Sequence, residues 1–277
     1  MTPPGRTLIL DLLSTLRRGT MPVAALVEAG ALFGIPSNTV RVALARLLAA
    51  GQVARDERGR YRLGAGAEPV ERRVRSWRDL DRAARAWDGS WLAVHHGASP
   101  AGRRRSDGRG RERALRLLGF RALVPGLSLR PNNLRSDVHA VRDELHALGL
   151  PAGDLVAELR GLDDTTAARA RALWPVARLR AAYRQSLREL AASEKRLGAL
   201  PAEQAMVESF LLGRRIIREL VLDPLLPDVI FPPDDRDALV DAVRAYDRLG
   251  RAAWAGFLKR FDVPHIGAPL ETHRIAV

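Results

Sequence analysis

The sequence predicts an α+β multidomain protein: a helical N-terminal block closed by two strands, a middle block alternating strands and helices, and an all-helical C-terminal block. Three observations predict it. Apolar residues recur at helical spacing over residues 7–50, then alternate in two short runs, 52–55 and 60–63, about a polar turn. Between 88 and 161, short strand-like runs are separated by helical ones. From 162 to 262 the periodicity is helical, interrupted by the proline-rich stretch Asp223–Asp235. The expected boundaries are 5–66, a linker with a short helix at 67–87, then 88–161, 162–262 and a flexible tail at 263–277.

In the first block, Leu8, Ile9, Leu12, Leu13 and Leu16 predict a helix over Thr7–Arg17, ended by Gly19. Pro22 suits the first turn of a second helix reaching Leu32, with Leu26 and Val27 facing inward. After the turn Phe33-Gly34-Ile35-Pro36, Ser37 is expected to cap a third helix, Asn38–Ala50, its hydroxyl satisfying a free amide. On that helix Val40, Ala43, Leu44 and Leu47 form an apolar face. Asn38, Val42, Ala45, Arg46 and Ala49 lie opposite, flanked by Thr39 and Arg41. Gly51 stops the helix. Gln52–Arg55 and Arg60–Leu63 then alternate as strands about the turn Asp56-Glu57-Arg58-Gly59.

Two helices, a turn, a capped third helix and a basic hairpin compose a winged helix-turn-helix. Small outward side chains let such a helix enter a major groove, Asn and Arg can read base edges, and the amide end favours phosphate. The candidate DNA-binding residues are therefore Ser37, Asn38, Thr39, Arg41, Val42 and Arg46 on the helix, with Arg58, Arg60 and Arg62 on the wing. The competing use of this fold is a protein-binding adaptor, toward which the wing-tip acids Asp56 and Glu57 point.

The middle block lays out as strand Trp91–His96, helix Arg111–Leu118, strands Phe120–Val124 and Leu127–Arg130, helix Leu134–Leu148 and strand Leu155–Arg160. This β-α-β-β-α-β order is a ferredoxin-like unit, which hosts many functions and selects none. The C-terminal helices are expected at Thr165–Leu197, with a break near Trp174-Pro175, at Ala202–Leu222 and at Arg236–Arg260. Their apolar faces suit core packing, or alternatively a dimer interface.

Charge narrows the partners. The net charge is +13, and of the 45 basic residues only Lys195 and Lys259 are lysines. Residues 1–66 carry +5 and residues 67–200 carry +10, whereas residues 201–277 carry −2. The first two thirds thus favour a polyanion and the last third a protein partner. The absence of cysteine excludes disulfides, thiol nucleophiles and cysteine-based metal sites, and fits a cytoplasmic protein. No apolar run reaches the ~18 residues of a membrane span, and the N-terminus lacks a secretory pattern.

Chemistry-bearing clusters are few. His95 and His96, adjacent on a strand, point to opposite faces and chelate poorly, so no metal is expected. Arg103, Arg104, Arg105 and Arg109, spaced by glycines within Gly97–Gly110, form either a phosphate-gripping loop or a solvated charged one. Asp163-Asp164 and Asp234-Asp235 with Asp237 read as acids opening helices. No phosphate-binding loop, dinucleotide fingerprint or hydrolase signature occurs. No enzyme activity and no cofactor are expected. The alternative, a nuclease or hydrolase built on the middle block, lacks a clustered acid or nucleophile.

The run Ile35-Pro36-Ser37-Asn38-Thr39-Val40-Arg41-Val42-Ala43-Leu44-Ala45-Arg46-Leu47, with Gly51 and Gly59-Arg60-Tyr61-Arg62-Leu63, resembles the PaaX-type repressors of phenylacetic acid catabolism. Farther along, Trp87, Trp91-Leu92-Ala93-Val94, Leu118-Gly119-Phe120, the strand ending at Pro131 and Asp223-Pro224-Leu225-Leu226-Pro227 are similar to segments of the same family. The resemblance covers about residues 5–258. It implies a homodimeric one-component regulator, commonly a repressor on a near-palindromic double-stranded operator, released by a small effector such as an aryl- or acyl-CoA thioester. It also implies a middle domain of a kind seen in CRISPR-associated nucleases; those need a carboxylate where this chain has His95-His96-Gly97. A departure is Pro232-Pro233-Asp234-Asp235, where the family often carries Trp-Pro-Gly.

Overall fold

The computed structural model describes residues 3–16, 20–97 and 105–264, without the side chains of Arg105 and Ser106. Along the chain lie α1 (Gly5–Ser14), β1 (Met21–Pro22), α2 (Val23–Leu32), α3 (Ser37–Ala49), β2 (Val53–Arg55), β3 (Arg60–Leu63) and α4 (Glu68–Arg75). There follow β4 (Trp91–His95), α5 (Arg105–Leu117), β5 (Arg121–Val124), β6 (Leu127–Pro131), α6 (Val138–Leu148), β7 (Leu155–Leu159), α7 (Asp164–Arg171), α8 (Val176–Leu197), α9 (Ala202–Val221) and α10 (Asp234–Arg260). The protein is mixed α+β, with two antiparallel sheets and a helical C-terminal region. It divides into two compact units that do not follow chain order. The first joins the N-terminal segment up to Glu71 with Ala192–Arg214 and the chain from Ala245 onward; the second joins Arg72–Ala191 with Arg215–Arg244.

In the first unit, α1 begins behind Pro4, where a missing amide costs nothing, and buries Leu8, Ile9, Leu12 and Leu13. Pro22, expected in the first turn of α2, instead pairs as part of β1 and serves as the residue before the helix. The short β1 lies against β3, giving a sheet of order β1-β3-β2 with both pairings antiparallel. Proline is tolerated there because β1 is an edge strand.

Helices α2 and α3 approach closely at Gly30. A Cβ built there would stand 2.6 Å from Val40 Cγ2, and Val40 is fully buried. Because a β-branched side chain has few rotamers to retreat into, Gly30→Ala is expected to cost more in overpacking, about 1–3 kcal/mol, than the ~1 kcal/mol that alanine gains in a helix. A urea midpoint at or above wild type in that variant would contradict the assigned helix contact.

The core of this unit is completed by the far ends of the C-terminal helices. Met206, Trp254, Phe257, Leu258 and Val263 are buried in one cluster with Leu8, Leu26, Phe33 and Leu44. Phe33 lies 5.2 Å from Phe210 and 6.5 Å from Trp254, centroid to centroid, and Trp254 Nε1 donates to the Met206 carbonyl at 3.0 Å. Ion pairs Arg214–Asp11 and Arg260–Glu28 tie the same helices to α1 and α2.

In the second unit, four strands form an antiparallel sheet of order β5-β6-β4-β7. Trp91 to Val94 are buried throughout, so both faces of β4 are covered. Trp91 stacks on Trp174 at 6.3 Å, and Trp174 Nε1 donates to the Gly119 carbonyl at 3.2 Å. The expected break at Trp174-Pro175 separates α7 from α8, and Asp163 caps α7 by accepting from the Thr166 amide at 2.9 Å. Helix α6 starts at Val138 rather than Leu134, because Asp137 caps it through the Ala140 amide. Helix α5 starts at Arg105, six residues ahead of Arg111, and a bidentate Arg111–Asp154 pair anchors it at 2.5 and 2.8 Å. Of the expected arginine-rich loop, Arg109 therefore lies within α5, while Arg103, Arg104 and the Arg105 side chain fall outside the described residues, as does the tail from 265 onward.

Candidate nucleic-acid interface

Helix α3 is held by Val40, Leu44 and Leu47, which are buried against α1 and α2. Its other side carries the candidate residues. Ser37, Asn38, Thr39, Arg41, Val42 and Arg46 are all exposed, and Val42 retains 42% of its surface in solvent. Nothing acidic lies on this helix. An outward branched aliphatic side chain among polar and basic ones is unexplained by packing within the unit and fits an apolar contact such as a thymine methyl.

Ser37 does not cap α3. Pro36 occupies the capping position with φ −59° and ψ 144°, its carbonyl accepting from the Val40 amide at 3.2 Å, and no side chain caps the helix. The helix begins one residue early because proline already holds the extended backbone that a cap requires. The Ser37 hydroxyl is thereby left on the exposed first turn.

The hairpin turns tightly. Asp56 Oδ1 accepts from the amides of Arg58 at 3.0 Å and Arg60 at 2.8 Å, and Gly59 adopts φ +75°. The Asp56 carboxylate is thus engaged in shaping the turn. Arg58 and Arg62 are exposed. Arg60 is placed differently: its Nε donates to Thr20 Oγ1 at 2.8 Å, and its Nη2 to the carbonyls of Thr20 at 3.1 Å and Asp262 at 2.8 Å. Its guanidinium ties β3 to the segment before β1 and to the chain after α10. Eight of the nine candidates are exposed in the first unit, and Arg60 is the one drawn into internal bonds.

Two residues outside the sequence-derived set share the exposed side of α3. Arg6, on the first turn of α1, donates from Nη2 to Gln52 Oε1 at 2.7 Å, a bond spanning 46 residues. Gln52 is fixed by backbone, since its amide donates to the Leu47 carbonyl and its own carbonyl accepts from Gly64. Beside them opens a groove of about 490 Å³, with Asn38, Thr39, Val42 and Arg46 of α3 among its lining residues. The sequence carried no signal for Arg6: the expected helix starts at Thr7, and on a helical wheel Arg6 falls beside the buried Leu13 at the flank of the apolar face.

The second unit holds the other concentration of polar groups. Arg130 is fully buried; Nη1 donates to the Leu118 carbonyl at 2.5 Å, Nη2 to Asn133 Oδ1 and the Pro224 carbonyl at 3.3 Å each, and Nε to the Pro131 carbonyl at 3.1 Å. Burial, helped by the neighbouring Arg73 charge, pushes its pKa down to about 9, still above neutrality. Asp223 accepts from the Tyr183 hydroxyl and, at 2.6 Å, from the Leu225 amide. Burial raises the Asp223 pKa, opposed by the Arg236 charge and by the Tyr183 bond. Burial, then the Asp223 charge, raises that of Tyr183. These groups bond to each other and to backbone carbonyls, so they lock the loop Asp223–Pro227 in place rather than face a substrate.

Comparison with known proteins gives two findings. The family model described as PaaX-like protein matches residues 5–67, the segment from α1 through β3. Among solved structures, the chain is similar to the uncharacterized protein Rv0674 from Mycobacterium tuberculosis, with 25% identity, a TM-score of 0.55, and 90% of this chain and 98% of that chain covered. No curated protein matches. The family match thus marks the segment from α1 through β3 as PaaX-like, and at a coarse level points to a role in transcription regulation.

Proposed function

We propose that this chain, PaaX-like over residues 5–67, is a sequence-specific DNA-binding transcriptional regulator that acts as a homodimeric repressor. The observation that carries the reading is the solvent-facing side of α3. It presents Asn38, Thr39, Arg41, Val42 and Arg46, with no acid on the helix, beside a hairpin whose Arg58 and Arg62 are exposed. In this reading α1 to α3 with the β1-β3-β2 sheet are a winged helix-turn-helix, α3 enters the major groove, and Arg58 and Arg62 of the wing reach phosphate or the minor groove. Arg60 contributes by holding the wing.

The order β5-β6-β4-β7, with α5 and α6 as its connecting helices, favours a ferredoxin-like middle unit. A dimer would set two copies of α3 about one duplex turn apart, ~34 Å, and so read a near-palindromic operator. A small effector, such as an aryl- or acyl-CoA thioester, would release DNA to the extent that it binds the DNA-incompetent state more tightly. No helix among the described residues is long and apolar enough to cross a membrane. We place the protein in the cytoplasm, with DNA as its partner and no catalytic role.

The test is a titration of full-length protein against the DNA upstream of its own gene and against an unrelated duplex, at several salt concentrations. Selective binding that weakens steeply with salt is expected. Arg41→Ala and Arg46→Ala should each weaken operator binding by about 1–3 kcal/mol, roughly 5- to 150-fold in Kd, with an unchanged circular dichroism spectrum. Wild-type affinity in both folded variants would sink the assignment of this helix face. Absence of DNA binding would favour the protein-binding adaptor.

A further inference from the structure

We propose that Arg6 and Gln52 form a seat for the DNA sugar–phosphate backbone alongside α3, so that one strand is gripped from α1 while α3 reads the bases. This inference rests on the regulator reading above and adds two residues that neither the α3 periodicity nor the basic hairpin points to.

The geometry carries it. The groove is bounded by the first turn of α1 and by the outward stripe of α3 that includes Asn38, Thr39, Val42 and Arg46. Its charged lining residues are Arg6 and Arg46, and no carboxylate lines it. A phosphodiester passing along the α1 side of the groove would accept from the Arg6 guanidinium and the Gln52 amide, leaving Asn38, Thr39, Val42 and Arg46 on the α3 side to the bases. The walls are fixed before any ligand arrives. A Cβ at Gly5 would meet Thr39 Cγ2 at 3.7 Å and Ala43 Cβ at 3.8 Å, so α1 abuts α3 in ordinary van der Waals contact there.

The Arg6–Gln52 bond gives this seat its direction. Gln52 is held between the end of α3 and β2, because Gly51 at φ +62° ends the helix and the Gln52 amide donates to the Leu47 carbonyl at 2.9 Å. Its Oε1 accepts one of the five donors of the Arg6 guanidinium. An exposed arginine with a free stem would spread its donors over many rotamers; this one is tethered beside the groove. A side chain whose rotamer is already set loses less entropy when it binds.

The contact is with the backbone, so it lacks sequence information, and that separates it from Arg41 and Arg46. Arg6→Ala is expected to weaken binding to the operator and to an unrelated duplex by the same factor. It should also lower the slope of log affinity against log salt by about one contact, so that the affinity lost between about 50 and about 200 mM salt is roughly 3.5-fold smaller than in wild type. Arg6→Lys should keep most of the salt slope, because the charge remains, and Gln52→Ala should weaken both duplexes less than Arg6→Ala. The measurement is fluorescence anisotropy of the full-length protein on both duplexes across a salt series. An unchanged slope in folded Arg6→Ala, or a loss confined to the operator, would overturn the seat while leaving the regulator reading intact. No selective binding by the wild type would overturn the reading beneath it.

Discussion

Asp223→Ala is expected to destabilise the second unit by about 3–5 kcal/mol, the cost of removing one partner from a buried charged network. The carboxylate is fully buried and accepts from two groups, the Tyr183 hydroxyl and the Leu225 amide. Its charge also faces Arg236 and Arg73, both buried. Alanine would leave those cations without it and would strip an acceptor from a loop already bent at Leu225, whose φ is +50°. The same loop is gripped from the other side, since Arg130 donates to the Pro224 carbonyl and Asn133 to the Leu225 carbonyl. Gly119 packs on it too: a Cβ there would stand 2.7 Å from Pro224 Cα. Two milder variants separate charge from hydrogen bonding. Tyr183→Phe removes one donor and should cost about 1–3 kcal/mol. Asp223→Asn keeps an acceptor for Leu225 but loses the charge, and should fall between the two. The check is a urea titration followed by tryptophan fluorescence, with Trp91 and Trp174 reporting from this unit. A midpoint in Asp223→Ala within experimental error of wild type would show that the network does not hold the loop.

That network marks where the sequence stops being legible. Periodicity exposes what a helix or strand does with its own faces. It separated Val40, Leu44 and Leu47 from Arg41, Val42 and Arg46, ended α3 at Gly51, and broke the long helix at Pro175. Acids before a helix announced the starts of α7 and α10. What it lacked were pairings between distant residues. The β1 strand is two residues long, too short for alternation to register. Ser37 offered a hydroxyl for capping, but the preceding proline had already taken the position. Arg60 alternates correctly with Tyr61, yet nothing local reveals that Thr20 and Asp262 will hold its guanidinium. Arg73 and Arg130 score as surface residues in any hydropathy scheme; their burial is decided by carbonyls at Leu117, Leu118 and Pro224. Each of α8, α9 and α10 is one unbroken helix, so the division of its residues between two compact units leaves no mark in the sequence.

Trp254→Ala is expected to disable the proposed DNA binding without touching the exposed side of α3, because it removes the N-terminal block's support. The Trp254 ring is buried in the first unit between Phe33, Phe210 and Phe257, at centroid distances of 6.5, 5.8 and 5.4 Å. Its indole N–H is satisfied by the Met206 carbonyl. Truncation to alanine in such a core costs about 3–5 kcal/mol, a large share of the stability of a small domain. Trp254→Phe keeps a ring in place but leaves the Met206 carbonyl without that donor, and should cost less than half as much. The structural reason for so large an effect is that α1, α2 and α3 do not close their own core. Phe33 ends α2 against Phe210 and Trp254, and Leu258 and Val263 join the cluster that holds Leu26 and Leu44. A fragment ending at Ala67 would expose that surface and is expected to aggregate or remain unfolded, although it contains every candidate contact on α3 and the hairpin. Thermal unfolding and operator titration of Trp254→Ala, together with circular dichroism of the fragment, test the argument. A fragment that folds cooperatively and binds the operator with full-length affinity would show that the helix ends are dispensable, and the DNA-binding block would then be an independent domain.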